Sequence, residues 1–110
     1  MKLPENSVIA EDKLTKYLLV PQPRGDKSAF LGFAGYTPEY ADRLLHDLRT
    51  QILPLDVTAT RTDKFGDYFE TRGGLTGPNG RTLRVRAIWM TEHLSGVTKF
   101  VTLIPEKRRT

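Results

Sequence analysis

The sequence predicts an α+β fold, with two or three N-terminal helices packed on a four-stranded antiparallel β-meander. Three observations carry that expectation. Apolar residues recur at helical spacing up to Pro54, and β-branched alternation replaces them afterwards. Strong turn signals, Gly77-Pro78-Asn79-Gly80 above all, cut the second half into short strands joined as hairpins. The 110 residues, 38% of them hydrophobic, fit one domain with a modest core. The expected layout is a helical part over about 12–53, a sheet part over about 56–105 and a basic tail over 106–110.

Residues 12–20 read as a short helix. Asp12 suits its N-cap, and Leu14, Tyr17 and Leu18 fall on one stripe. The breaker cluster Pro21-Gln22-Pro23-Arg24-Gly25-Asp26 makes a loop. Residues 27–34 read as a second short helix, capped by Asp26 and ended at Gly35. Thr37-Pro38-Glu39 opens the third and longest helix, with Thr37 as N-cap and Pro38 at the first helical position. Ala41, Leu44, Leu45, Leu48 and Ile52 form its apolar stripe, and Pro54 ends it. His46 falls off the stripe and is expected to be exposed or partly packed.

Strands are expected over 57–61, 68–76, 83–91 and 99–104. Lys64-Phe65-Gly66-Asp67 separates the first two, and Gly73-Gly74 reads as a bulge or bend in the second. In the third strand Leu83, Val85, Ala87 and Trp89 share one face, and Arg84, Arg86, Ile88 and Met90 the other. In the last strand the same alternation sets Phe100, Thr102 and Ile104 against Val101 and Leu103. Neither face is purely apolar, so the pattern leaves open which one the helices cover.

Composition excludes several classes. With no cysteine there is no disulfide scaffold, thiolate metal site or cysteine nucleophile. The only histidines, His46 and His93, lack any metal-binding spacing, so no metal and no cofactor are expected. No apolar run approaches the roughly 20 residues of a membrane span. The start Met1-Lys2-Leu3-Pro4 has no apolar stretch of a signal peptide, and a complete, cytoplasmic protein is expected. The net charge of +4 is unevenly placed. Residues 1–80 carry 10 basic and 11 acidic side chains, whereas residues 81–110 carry 7 and 2. Such asymmetry points to a polyanionic partner, of which nucleic acid is the common one.

Several residues carry candidate chemistry. Arg24 and Lys27 flank Gly25 at the start of the second helix, which reads as an anion site or as a plain solvated junction. Arg84, Arg86 and Lys99 supply cations on the strands. Trp89, the only tryptophan, reads as core packing or as a stacking platform. His93, beside the Ser95-Gly96 turn, is expected to be a solvated loop histidine.

An ordered set of motifs adds a resemblance. It comprises Lys13-Leu14-x-x-Tyr17-Leu18-Leu19, Gly25-x-Lys27-x-x-Phe30-Leu31, Gly35-Tyr36-Thr37, Gly66-x-Tyr68, Leu75-Thr76-Gly77-Pro78-Asn79-Gly80-Arg81, Ile88-Trp89 and Phe100-Val101-Thr102-Leu103-Ile104-Pro105. In this order they are similar to a family of small bacterial domains found as stand-alone proteins and as tips of polymorphic toxins. That family resembles the barnase–EndoU–colicin–RelE group of metal-independent RNase toxins. The resemblance implies a toxin acting on RNA (tRNA, mRNA or rRNA), beside a small cognate antitoxin. The family's recurring polar positions fall on Lys27, Tyr68, Trp89 and Thr102. The place of Ala87 more often holds Thr in the family.

Metal-free RNA cleavage needs a base for the 2′-hydroxyl, a cation for the phosphorane and an acid for the 5′-oxygen. The expected catalytic set is Lys27, Tyr68, Arg86 and Thr102. Lys27 and Arg86 would stabilise charge, Tyr68 would move a proton or stack, and Thr102 would hold a phosphate. Arg24, Arg84, Trp89 and Lys99 are the expected RNA-binding set. Bases are scarce: His46, His93, or a carboxylate such as Glu70. Two other readings stand beside this one. The first is a non-catalytic module, antitoxin-like or regulatory, that holds RNA or an acidic protein. The second is an interaction domain with a protein-only partner, for which any nucleic-acid affinity would be weak and insensitive to salt. An edge strand of the sheet is open to a partner in any of them.

Overall fold

The computed structural model describes residues 1–106, so the basic cluster Lys107-Arg108-Arg109 of the expected tail lies outside the described residues. Helices precede strands, as the change of period at Pro54 predicts. The first helical unit, α1 (Glu11–Lys13), continues as a π-helical turn over Leu14–Leu18. The second, α2, spans Ser28–Gly32. A 3-10 turn at Pro38–Tyr40 leads into α3 (Ala41–Asp47), which runs on as a π-helical turn over Leu48–Ile52.

The π turns correct the expected stripes. Leu19 N bonds to Leu14 O at 3.0 Å and Leu53 N to Leu48 O at 2.8 Å, both spanning five residues. The wider turn brings positions i, i+4 and i+5 inward together. Leu14, Leu18 and Leu19 are therefore buried, as are Leu48, Ile52 and Leu53. Tyr17, expected on the stripe, is 58% exposed. Asp12 does not cap α1. Ala10 holds that position without a side-chain bond, and Asp12 reaches Lys16 instead at 3.4 Å. Thr37 is extended before Pro38 but makes no side-chain cap. Asp26 does take up the first amide of α2, accepting from Ser28 N at 3.0 Å and Ser28 Oγ at 2.7 Å. His46 is exposed.

The four strands are β1 (Val57–Thr62), β2 (Gly66–Thr76), β3 (Thr82–Glu92) and β4 (Thr98–Pro105), antiparallel in the order β1-β2-β3-β4. The β2–β3 register runs unbroken from Gly66↔Glu92 to Thr76↔Thr82. Gly73 and Gly74 thus form no bulge; they pair regularly with Val85 and Arg84. Two register shifts occur elsewhere, between Ala59 and Arg61 on β1 and opposite Ile88/Trp89 on β4. The second matters more. Trp89 pairs with Phe100 but Ile88 pairs with Thr102, so Val101 is an extra residue. One inserted residue inverts the alternation beyond it. Phe100 and Leu103 therefore point into the core, while Thr102 and Ile104 keep company with Ile88 and Arg86.

The helices cover the face that carries Leu83, Val85, Ala87 and Trp89. Trp89 is 0% exposed, meets the Phe100 ring edge-on at 5.4 Å and donates its Nε1–H to Thr71 Oγ1 at 3.0 Å. A polar clasp ties α3 to the end of β2. The Tyr36 hydroxyl donates to buried Asp47 at 2.6 Å, and Arg43 Nε reaches the same oxygen at 2.9 Å. Burial, and then the Asp47 bond, pushes the Tyr36 pKa far up, so its hydroxyl stays a donor. Gln51 grips Thr76 through both its carbonyl and its amide, at 2.7 and 3.0 Å.

The turn after β2 docks on α2. Asn79 N and Nδ2 donate to Ala34 O and Phe33 O at 3.2 and 2.9 Å. A Cβ at Gly77 would collide with the Ala34 carbonyl, so only glycine fits there. On the far edge, Val8 adds a short parallel bridge to β4 beside Lys99. Among the described residues no strand pairs with the outer edge of β1, where Val57 N donates to Met1 O at 3.0 Å, and its side chains are largely exposed.

Candidate functional site

Because the helices take one face of the sheet, the other faces solvent. Strand alternation sends Tyr68, Glu70 and Arg72 of β2 to that open face, with Arg84, Arg86, Ile88 and Met90 of β3. Lys99, Thr102 and Ile104 of β4 and Arg61 of β1 join them. The register arranges these residues in rungs. Tyr68, Met90 and Lys99 form one, Glu70, Ile88 and Thr102 the next, then Arg72, Arg86 and Ile104.

Glu70 is the centre of this face. Its side chain is only 6% exposed, although it lies on the solvent side of the sheet. Arg72 Nε holds one carboxylate oxygen at 3.1 Å and Arg86 Nη1 holds the other at 3.1 Å. Arg72 and Arg86 face each other directly across the strands. Like charges so placed repel, and the diagonal carboxylate is what makes the pairing tolerable. The two guanidiniums keep different amounts of solvent contact, 55% and 35%. They share one carboxylate, keep a net positive charge and are still able to meet a ligand.

Around this centre, the Arg61 guanidinium lies 3.8 Å from the centroid of the Tyr68 ring. Lys99 pairs with Glu92 at 3.0 Å, and that bond, then one from Ser95, holds Glu92 below the usual carboxylate range. His93 is not simply solvated. Its Nε2 sits 3.2 Å from Asp67 Oδ1, and this bond, followed by one from Thr62, lowers the Asp67 pKa. Asp26, Asp56 and Asp63 are lowered too, first by hydrogen bonds from Ser28, Lys2 and the Phe65 amide respectively.

These shifts fix a pH dependence. A carboxylate whose pKa is lower in the folded chain adds stability that is present above its unfolded pKa and lost as pH falls. All five groups are on the surface, so each adds little and salt screens it. Urea midpoints are expected to fall as pH drops below about 4, near the unfolded carboxylate values. The fall should shrink in high salt. A midpoint as high at pH ~3 as at pH ~6 would contradict this.

Of the expected site residues, Tyr68, Arg84, Arg86, Lys99 and Thr102 share the open face. Lys27 and Arg24 do not join them. They precede α2, whose Leu31 is buried in the core and whose end is bonded to the β2–β3 turn on the covered side. Trp89 leaves the RNA-binding set as well, because a ring with no exposed surface has no face for a base. Sequence reasoning missed Arg72 and the central place of Glu70. The signal was present: counting back from the Gly77–Gly80 turn pairs Arg72 with Arg86 and leaves Glu70 as their nearest carboxylate. Among the described residues, no group of three His, Cys, Asp or Glu side chains converges as a metal site would. No helix among them is long and apolar enough to cross a membrane.

Comparison with known proteins adds a family. No curated protein and no solved structure matches the chain. The family model described as Domain of unknown function (DUF6883) matches residues 2–107, nearly the whole sequence, and the chain belongs to that family.

Proposed function

We propose that the open sheet face binds RNA and that the domain cleaves it without a metal, as a toxin of a bacterial toxin–antitoxin pair. The observation that carries this reading is the Glu70 carboxylate, sheltered on a solvent-facing sheet between two arginines at 3.1 Å. A carboxylate with paired guanidiniums unites a proton acceptor with the charge that a phosphorane requires.

In the reaction Glu70 accepts the proton of the 2′-hydroxyl. O2′ bonds to phosphorus while the bond from phosphorus to O5′ breaks. Tyr68 gives its phenolic proton to the departing O5′. Arg72 and Arg86 turn part of their hydrogen bonding onto the phosphorane oxygens, with Arg72 in the role first expected of Lys27. Thr102 donates a hydrogen bond to a non-bridging oxygen. Lys99 and Arg84 hold flanking phosphates, and Ile88 and Met90 offer half-buried apolar surface to bases. The products are a 2′,3′-cyclic phosphate and a 5′-hydroxyl. In this reading the toxin works in the cytoplasm, and its antitoxin is a small acidic protein that covers Arg84 and Arg86.

One observation favours a second reading, a non-catalytic RNA-binding module. Both Glu70 oxygens are already engaged, which suits a carboxylate that organises arginines rather than one that takes a proton. Incubating the purified chain with single-stranded RNA in EDTA separates the two. Fragments ending in 2′,3′-cyclic phosphate are the expected result. Intact RNA that migrates with the protein would replace cleavage by binding. Intact, unbound RNA would refute both.

A further inference from the structure

Beyond the Arg72–Arg86 rung the open face carries a second carboxylate among its arginines, Glu106, for which the proposed chemistry has no role. Glu106 follows β4, and its amide donates to Arg84 O at 2.9 Å, so its backbone is anchored beside that arginine. Its carboxylate turns back over the sheet into a recess lined by Arg72, Arg86, Ile104 and Pro105. There it meets Arg72 Nη1 at 3.6 Å through Oε1 and Arg84 Nη2 at 4.0 Å through Oε2. Charge-assisted hydrogen bonds are shorter than either contact, at about 2.7–2.9 Å. Oε2 is buried and has no hydrogen-bond partner among the described residues. A buried carboxylate oxygen in that state is costly, and native structures rarely keep one without a reason.

The fault is one of shape. Two guanidiniums, from Arg72 and Arg86, line the recess, Arg84 approaches it only through Glu106, and Glu70 already occupies one side of Arg72 and of Arg86. A flat carboxylate entering from the end of β4 spans the gap between Arg72 and Arg84 without closing on either. A phosphate is tetrahedral and presents oxygens in several directions. It can accept from both forks at short distance, which is the recognition that arginine suits best.

We propose that this recess is a phosphate subsite, and that Glu106 fills it as an internal anion when no ligand is bound. For the polymer that brings the phosphate, the proposal rests on the RNA reading above. The ligand is then a further phosphodiester of the same single-stranded RNA as the one cleaved. The Arg84 rung lies four residues along the strands from Glu70, roughly 13 Å at the usual strand rise. The subsite therefore fixes the direction of the strand, along β2 and β3 and not across them. Glu106 also acts as a selectivity filter, since a ligand must offer more than a carboxylate does in order to displace it.

The test titrates the full chain with inorganic phosphate and follows the arginine Nε–H signals by NMR. Glu106→Gln removes the internal anion while keeping the side-chain shape. It is expected to bind phosphate about tenfold more tightly than the wild type, with the shifts concentrated on Arg72 and Arg84. Adding Arg84→Ala to that variant should abolish the gain. Glu39→Gln is the control, because it makes the same change in net charge at an exposed position on the helical layer. Equal affinity in the wild type and Glu106→Gln would overturn the subsite. So would an equal gain in Glu39→Gln, or shifts spread evenly over all arginines. RNA cleavage plays no part in this readout. A chain that cleaves no RNA can still show the subsite, and an active RNase can still lack it.

Discussion

Glu70→Gln is expected to slow RNA cleavage by at least about a hundredfold, the usual contribution of a general base. Glutamine has nearly the same volume and can accept one arginine bond, but it takes no proton. Its amide nitrogen also faces a guanidinium, so one of the two 3.1 Å contacts is lost outright. The domain should survive. Arg72 and Arg86 are 55% and 35% exposed, so water can replace part of what the carboxylate supplied. The loss of stability is expected near 1–3 kcal/mol, the cost of leaving charged groups with poorer partners. Two further measurements isolate the chemical role. Far-UV circular dichroism at the assay temperature must show a folded chain, and a non-cleavable 2′-deoxy strand must still bind within a few-fold. Undiminished cleavage by a folded Glu70→Gln protein would remove Glu70 from the reaction. Equal loss of cleavage and binding would make it an organiser of arginines, as the second reading holds.

Trp89→Ala is expected to cost about 3–5 kcal/mol, a large part of the stability of a small domain. The indole is wholly buried against Phe100, so truncation opens a cavity in the middle of β3. It also strands the Thr71 hydroxyl, which is 0% exposed and accepts from the indole Nε1–H. Trp89→Phe keeps most of the apolar volume and should cost clearly less. Urea unfolding followed by circular dichroism measures both, since the variants lack the only tryptophan fluorophore. A Trp89→Ala midpoint close to the wild-type value would mean that the ring contributes little to the core. RNA affinity supplies a second check. In conditions where Trp89→Ala remains folded it should bind RNA as the wild type does, because the ring lies under the sheet and touches no ligand.

Particular residues explain how far sequence reasoning reached. The β2–β3 hairpin was legible because Gly77-Pro78-Asn79-Gly80 sets both the turn and the count of paired residues outward from it. Counting outward from that turn is enough to put Tyr68, Arg84 and Arg86 on a common face. Thr102 and Ile104 join them with Phe100 turned away, because the extra residue Val101 inverts the alternation. No residue of that strand advertises a bulge. Glu70 reads as one of several scarce candidate bases until Arg72 and Arg86 are seen to close on it from both sides.

By itself the sequence determined the order of helices and strands, the turns between them, the antiparallel pairing and the excess of basic residues in the last third. These follow from local propensity, side-chain period and charge, which act over a few neighbouring residues. Only the tertiary structure decided which sheet face is covered, that Trp89 belongs to the core, and that Lys27 stands apart from Arg86. Both faces of β3 mix apolar residues with others, so local pattern leaves the choice between them nearly balanced. Packing resolves it. Burying Leu83, Val85, Ala87 and Trp89 beneath the leucines of the helical layer removes more apolar surface than the opposite face could, and it spares Arg84 and Arg86 the desolvation that burial would impose.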